Sequence, residues 1–200
     1  MKITKDMLKS WSPCAGGYRW FLDHYPAGEA DYQAVLDALA EADRPADAMW
    51  LMDRVGKTDD VLVIDGEVKR KHVFAAGSLR VGSLVVVGYV QAGGGIEAGG
   101  GIEAGLDIKA GEGIKAGGGI KAGWGIKAGE GIKAGGGIEA GGGIKAAFSI
   151  CSKWIDCRLR IFAGLVNWRA PSADEEQIRA EVRFGTVALG RVVKLDARHD

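Results

Sequence analysis

Three histidines, three cysteines and a set of evenly spaced lysines are the side chains of this 200-residue chain whose chemistry could reach beyond folding. A histidine becomes a general base or a metal ligand only beside a nucleophile, a carboxylate or further ligands. His24 follows Asp23 with no nucleophile motif near it and reads as a surface residue; His72 falls in a charged strand, and His199 in the tail. Cys14, Cys151 and Cys157 show no paired metal-binding spacing, and their odd number argues against a disulfide framework, so reduced thiols are expected. Gly56-Lys57-Thr58 has the end of a phosphate-binding loop, but the first glycine of that motif would have to stand where Leu51 does, which leaves a helix stop. Glycine triplets satisfy a dinucleotide fingerprint only formally, because the strand-turn-helix context is missing. No catalytic residue, cofactor or metal is expected.

The lysines are different, because a repeat dictates where they stand. Isoleucine recurs every six residues from Ile96 to Ile150, with Leu84 and Val90 in the same register upstream. The unit Ile-Lys/Glu-Ala-Gly-x-Gly places an apolar residue, a charge and a small residue in alternation, so Ile and Ala point inward and the charge outward from a three-residue strand. Six is not a helical period, and a flexible glycine linker would not hold isoleucine in register. The fold class expected is mainly β: a short triangular parallel β-helix of six-residue rungs and about eighteen residues per coil. Its handedness stays open.

Eighteen residues per coil sorts the charges onto faces. One face stacks Lys109, Lys127 and Lys145; a second alternates Glu103, Lys121 and Glu139; a third carries Glu97, Lys115 and Lys133. Like charges at strand spacing repel, so the all-lysine face is either relieved by neighbours, with Glu112 and Glu130 on the adjacent corner, or kept for an anionic partner. Leu106 and Trp124 are eighteen apart and occupy a corner where glycine is the rule. They are either a binding anchor or the seat of a terminal module folded back over the coil. These five residues, Lys109, Lys127, Lys145, Leu106 and Trp124, form the candidate partner-binding set.

The flanks differ in composition. Residues 1–56 carry six basic against nine acidic residues and suit four short helices: Thr4 to Trp11, Gly17 to Tyr25, the run holding Tyr32, Val35, Leu36 and Leu39, and one from Pro45 to Gly56. This helical module would close one end of the coil. Residues 57–83 read as β, with Asp65-Gly66 as a hairpin turn between Val61–Ile64 and Glu67–Phe74. The repeat spans 84–155. Residues 156–200 form a C-terminal cap, with a helix from the capping box Ser172-Ala173-Asp174-Glu175 to about Val182 and a last strand over Thr186–Leu195.

Gly77-Ser78-Leu79-Arg80-Val81-Gly82-Ser83-Leu84, followed by the Ile-x-Ala-Gly units, resembles the glycine-rich parallel β-helix repeat proteins of phages and mobile elements, and loosely the bactofilins. Lys2-Ile3-Thr4-Lys5, Cys14 and Trp20-Phe21 are similar to a short helical module found in front of such repeats. The resemblance implies a β-helix with an accessory role and no catalytic residues. Hexapeptide-repeat acyltransferases share the period, but their small residue falls four positions after the aliphatic one, and they use a coil-borne histidine that residues 84–155 lack.

The balanced charge, 26 basic against 26 acidic residues, gives no long-range pull toward nucleic acid or anionic membrane. No leader opens the chain and no apolar run approaches the ~20 residues of a membrane span, so a cytoplasmic protein is expected. The expected function is a non-enzymatic interaction protein: a rigid β-helix binding a partner protein complex, in a phage setting a host defence complex, anti-CRISPR-like. Nucleic acid would be reached only through the local lysine face. The alternative is a self-assembling, bactofilin-like scaffold, hence a homo-oligomer, and a hexapeptide-type acyltransferase is the remote third class.

Overall fold

A computed structural model describes residues 1–193. The chain opens with a short strand, β1 (Lys2–Thr4), and four helices: α1 (Lys5–Ser10), α2 (Ala15–His24), α3 (Tyr32–Glu41) and α4 (Pro45–Val55), with β2 (Glu29–Asp31) between α2 and α3. Each start has a local cause. The Thr4 hydroxyl accepts from the Met7 amide at 3.2 Å, the Asp31 carboxylate accepts from Ala34 at 3.2 Å, and Pro45 supplies a preset φ at the head of α4. α2 begins at Ala15, two residues ahead of the expected Gly17, because Cys14 caps it: the Gly17 amide donates to Cys14 Sγ at 3.2 Å. Gly56 ends α4 with φ +80°. The antiparallel pair β1–β2 was not expected; three-residue strands carry too little alternation to register in sequence. Ile3, Phe21, Tyr32, Leu36 and Leu51 form the core of this module.

From Val61 onward the chain is a parallel β-solenoid. Its first strands are β3 (Val61–Arg70), β4 (Val73–Ala75), β5 (Ser78–Val86) and β6 (Val90–Ala92). The repeat follows as β7 (Ile96–Ala98), β8 (Ile102–Ala104), β9 (Ile108–Ala110), β10 (Ile114–Ala116), β11 (Ile120–Ala122), β12 (Ile126–Ala128), β13 (Ile132–Ala134), β14 (Ile138–Ala140) and β15 (Ile144–Ala146). It ends in β16 (Ile150–Phe162), β17 (Gln177–Leu189) and β18 (Arg191–Val193). Isoleucine stacks on isoleucine eighteen residues on, as in Ile96–Ile114–Ile132 and Ile102–Ile120–Ile138, and the middle residue of each repeat strand faces outward. Every repeat isoleucine and alanine from Ile96 to Ala146 is buried in one continuous core.

Glycine holds the coils together. A Cβ on Gly105, Gly111, Gly117, Gly123 or Gly129 would sit about 2 Å from a carbonyl oxygen of the preceding coil. From Gly93 to Gly141 that position, just after the alanine, is glycine, which suits this close backbone approach, while Val87 and Ala147 hold it in the coils at either end. The next position is where Leu106, Glu112, Trp124, Glu130 and Phe148 stand in different rungs.

Three expectations are corrected. Asp65-Gly66 makes no hairpin: β3 runs through it, pairs with β5 in parallel, and absorbs the pair as a register shift between Ile64 and Glu67, with Gly66 at φ +79°. The coil therefore starts ahead of the repeat, with Leu79 under Ile96 and Leu84 under Ile102. The helix expected from Ser172 is absent as well. Its capping box forms, the Ser172 amide donating to Glu175 Oε2 at 2.8 Å and the Glu175 amide to Ser172 Oγ at 3.4 Å, but the chain turns once and enters β17. Ile178 is drawn beneath Ile150 and fully buried, so ladder and core override the local signal. Finally, His72 is not in a strand: it lies in the link between β3 and β4 and is buried, donating from Nε2 to Asp43 at 2.9 Å and accepting the Tyr89 amide at Nδ1 at 3.1 Å.

The register slip after Ile150 is a change of step. Ile155 and Ile161 stack on Ile138 and Ile144 at seventeen residues instead of eighteen. Trp154 accompanies it with its indole against Gly137, where a Cβ would meet Trp154 Cε2 at 2.1 Å, and the Arg183 guanidinium lies 4.8 Å above the ring. The strand expected over Thr186–Leu195 divides into the end of β17 and β18; Leu195 and His199 lie outside the described residues.

Candidate protein-binding groove

The stacking places Lys109, Lys127 and Lys145 in one column, each directly beside the next across the paired strands β9, β12 and β15. Gln91 precedes them in β6 and Phe162 follows in β16. The corner leading into this face carries a second column, fixed by backbone bonds: Trp124 N–H to Leu106 C=O at 3.2 Å, Gly142 N–H to Trp124 C=O at 2.7 Å, and Leu159 N–H to Gly142 C=O at 3.2 Å. The indole of Trp124 is 62% exposed and Leu159 is 63% exposed, so no terminal module covers the corner among the described residues. Leu106 is half-buried.

The two columns share one groove of about 650 Å³, which is also lined by Tyr89, Asp107 and Arg158 and by Met49 and Asp53 of α4. Its floor is glycine backbone, including Gly123, Gly125 and Gly141. Asp107 serves the floor itself, its carboxylate accepting from the Gly125 amide at 2.8 Å. Of the five residues the sequence singles out, Lys109, Lys127, Lys145 and Trp124 line the groove, and Leu106 sits one coil before Trp124 on its corner. Arg158, Leu159 and Tyr89 were not foreseen: the seventeen-residue step hides the first two, and Tyr89 stands where the upstream coil departs from the repeat.

The charges on this face are weakly compensated. Lys109 approaches Asp53 at 3.7 Å, and Lys145 lies 5.7 Å over the Phe162 ring. Lys127, between them, has no ion pair among the described residues. Glu112, expected to offset this column, instead holds Lys57 at 2.6 Å, and that bond raises the lysine's pKa. The other faces pair more of their charge across coils, although Lys133 on the third face has no ion pair among the described residues. Glu97 accepts from Lys115 at 3.2 Å and from Arg80 at 3.4 Å, which lowers its pKa, and Lys121 meets Glu139 at 3.3 Å. On this face Lys127 and Lys145, which have no carboxylate partner among the described residues, stand beside an exposed indole.

Among the described residues no group of three or more His, Cys, Asp and Glu is placed to hold a metal, and no helix is long and apolar enough to cross a membrane. The three cysteines are free, and burial raises the pKa of Cys157.

Fold and stacking define a β-helix repeat protein with a helical N-terminal module. Residues 1–58 match the family described as the YdhT N-terminal domain, which covers that module and leaves the solenoid outside the match. No curated protein and no solved structure matches the chain.

Proposed function

We propose that this protein is a non-enzymatic interaction protein that binds an acidic partner protein in the groove of Lys109, Lys127, Lys145 and Trp124. The observation that carries this is the coincidence of a weakly compensated lysine column with an exposed apolar corner. An exposed indole beside cations is the usual composition of an interface anchor, and stacked lysines without carboxylates destabilise the free protein unless a partner offsets them. The resemblance to phage and mobile-element repeat proteins supports a host defence complex as that partner. The same groove also fits the remoter case of nucleic acid reached through the lysines alone.

The test is capture from the native host with the wild-type chain, with Lys109, Lys127 and Lys145 changed together to Gln, and with Trp124→Gly. Wild type should retain one protein that both variants release, with salt weakening the capture. Equal capture by all three chains at equal melting temperature overturns the proposal. A second reading, end-to-end self-association, is favoured by the outer edge of β3, where Val61 and Val63 are about half exposed and the strand pairs only with β5 among the described residues. Light scattering separates it, because mass should then rise with concentration.

A further inference from the structure

We infer that the segment this groove accepts is an amphipathic, acidic α-helix laid along the solenoid axis. The inference rests on the groove being the binding site and adds what kind of element fills it.

Two observations select a helix over an extended strand. The first is that the backbone of this face has nothing left to offer. Ile108, Ile126, Gly111, Gly129 and Ala147 donate their amides to the neighbouring coil, so a peptide arriving from the side finds no free row of N–H and C=O groups to pair with. Strand addition needs such a row. A helix brings its own backbone bonds satisfied and presents side chains alone.

The second is spacing. Successive lysines are one coil apart, about 4.8 Å, so Lys109 and Lys145 stand about 9.6 Å apart along the axis. On a helix, residues i and i+7 lie on one face about 10.5 Å apart, with i+3 or i+4 between them. On a strand, alternate residues give about 13.4 Å over the same three positions, and the mismatch grows with each further charge. An acidic stripe at i, i+4 and i+7 therefore meets Lys109, Lys127 and Lys145 nearly in step. Leucine or another apolar residue on the flank of that stripe meets Trp124 and Leu159, which occupy the neighbouring column at the same coil pitch. From Gln91 to Phe162 the face spans four coil steps, about 19 Å, enough for roughly thirteen helical residues.

The probe is a fluorescein-labelled, alanine-based peptide of about fourteen residues with Glu at i, i+4, i+7 and i+11 and Leu at i+1, i+8 and i+12. Its control has the same composition with Glu at every second residue, and a short oligothymidylate tests the nucleic-acid case. Binding to the whole chain is followed by anisotropy. The helical-phase peptide should bind at least ten-fold tighter than the alternating one and lose about ten-fold or more against the triple Lys→Gln chain and against Trp124→Gly. A spin label at one peptide end should broaden Tyr89 and at the other Leu159. Equal or inverted affinities of the two peptides, tighter binding of the oligonucleotide, or broadening across the coils toward Glu112 and Glu139 overturns the inference. If the peptides fail this way while the groove variants still release a captured host protein, the helix is wrong and the groove stands; if capture is also indifferent to the variants, both fall.

Discussion

Gln33 of α3 grips Phe74 of the first coil from outside the ladder: its Nε2 donates to the Phe74 carbonyl at 2.8 Å, while its Oε1 accepts from the Ala76 amide at 2.8 Å. In β4, Val73 and Ala75 bond inward to the next coil, so Phe74 and Ala76 present the open edge. One side-chain amide thus imitates the missing strand, and the Thr58 amide adds a third bond to Ala76 C=O at 3.0 Å. The Phe74 ring points away from the solenoid interior and packs in the helical core. The module therefore closes the β4 edge and buttresses one side wall of the first coil, while the outer edge of β3 stays uncovered among the described residues.

Gln33→Ala should then destabilise the chain by about 1–3 kcal/mol, the cost of leaving a buried donor and acceptor unpaired. Gln33→Glu should cost at least as much, because a carboxylate can accept from Ala76 but repels the Phe74 carbonyl. Urea denaturation gives the size, and faster amide exchange at Ala76 locates the effect. A Gln33→Glu chain as stable as wild type would contradict the edge-closing role.

Glycine positions within one corner should differ in tolerance. A Cβ on Gly117 meets Gly99 C=O at 2.0 Å, whereas on Gly118 its nearest atom is Gly101 N at 3.0 Å. Gly117→Ala is expected to cost about 1–3 kcal/mol by forcing two coils apart, and Gly118→Ala, at a place in the six-residue unit that holds Glu, Leu or Trp in other rungs, under about 1 kcal/mol. Thermal melts of the two chains decide it; equal losses would mean that backbone approach does not set the repeat.

Much of this was legible because a period of six, once read as strand-turn, fixes both the inward isoleucines and the outward lysine column without further information. The helix caps at Thr4 and Pro45 were equally local. What escaped depended on distant partners. Asp65-Gly66 has hairpin chemistry, yet the neighbour waiting for Val61–Ile64 is β5, reached in parallel. Ser172 and Glu175 make their capping box, but Ile178 gains more by burial under Ile150 than a helix could offer. Leu159 joins the Trp124 corner through a seventeen-residue step that a strict count of six cannot show. The role of Phe74 could not be read from alternation, since it is an outward residue buried by another module.

The turn before β17 should respond to acid. Glu175 is held at about pKa 2, first by the Arg169 guanidinium, which it meets with both oxygens, and next by the Ser172 amide. A carboxylate whose folded pKa lies below its ordinary 4.5 stabilises the fold above that value and loses the contribution as pH falls from 4.5 toward 2. Amide exchange at Ser172 and Glu175 should rise through that window in the wild type. Glu175→Gln should exchange faster at neutral pH and show no such rise, and identical profiles for both chains would exclude the pair as the lock of this turn.

The interior column makes the most severe prediction. Ile120 is 1% exposed and stacked between Ile102 and Ile138, with alanine and isoleucine side chains as its surroundings. Ile120→Asp sets a carboxylate there with no hydrogen-bond donor in reach, since the backbone amides around it are committed to neighbouring coils. Kept ionised, it pays a desolvation penalty of several kcal/mol, and protonated it still leaves a polar group unpaired in a cavity. Because each coil is stabilised chiefly by the coils beside it, losing the middle one should uncouple both halves and abolish the cooperative melt, an effect of more than about 4 kcal/mol. Ile120→Val is the control and should cost only about 0.5–1.5 kcal/mol while keeping a single transition. Circular dichroism melts of the three chains read both outcomes. A cooperative Ile120→Asp transition near that of wild type would mean that this isoleucine does not face a closed solenoid interior.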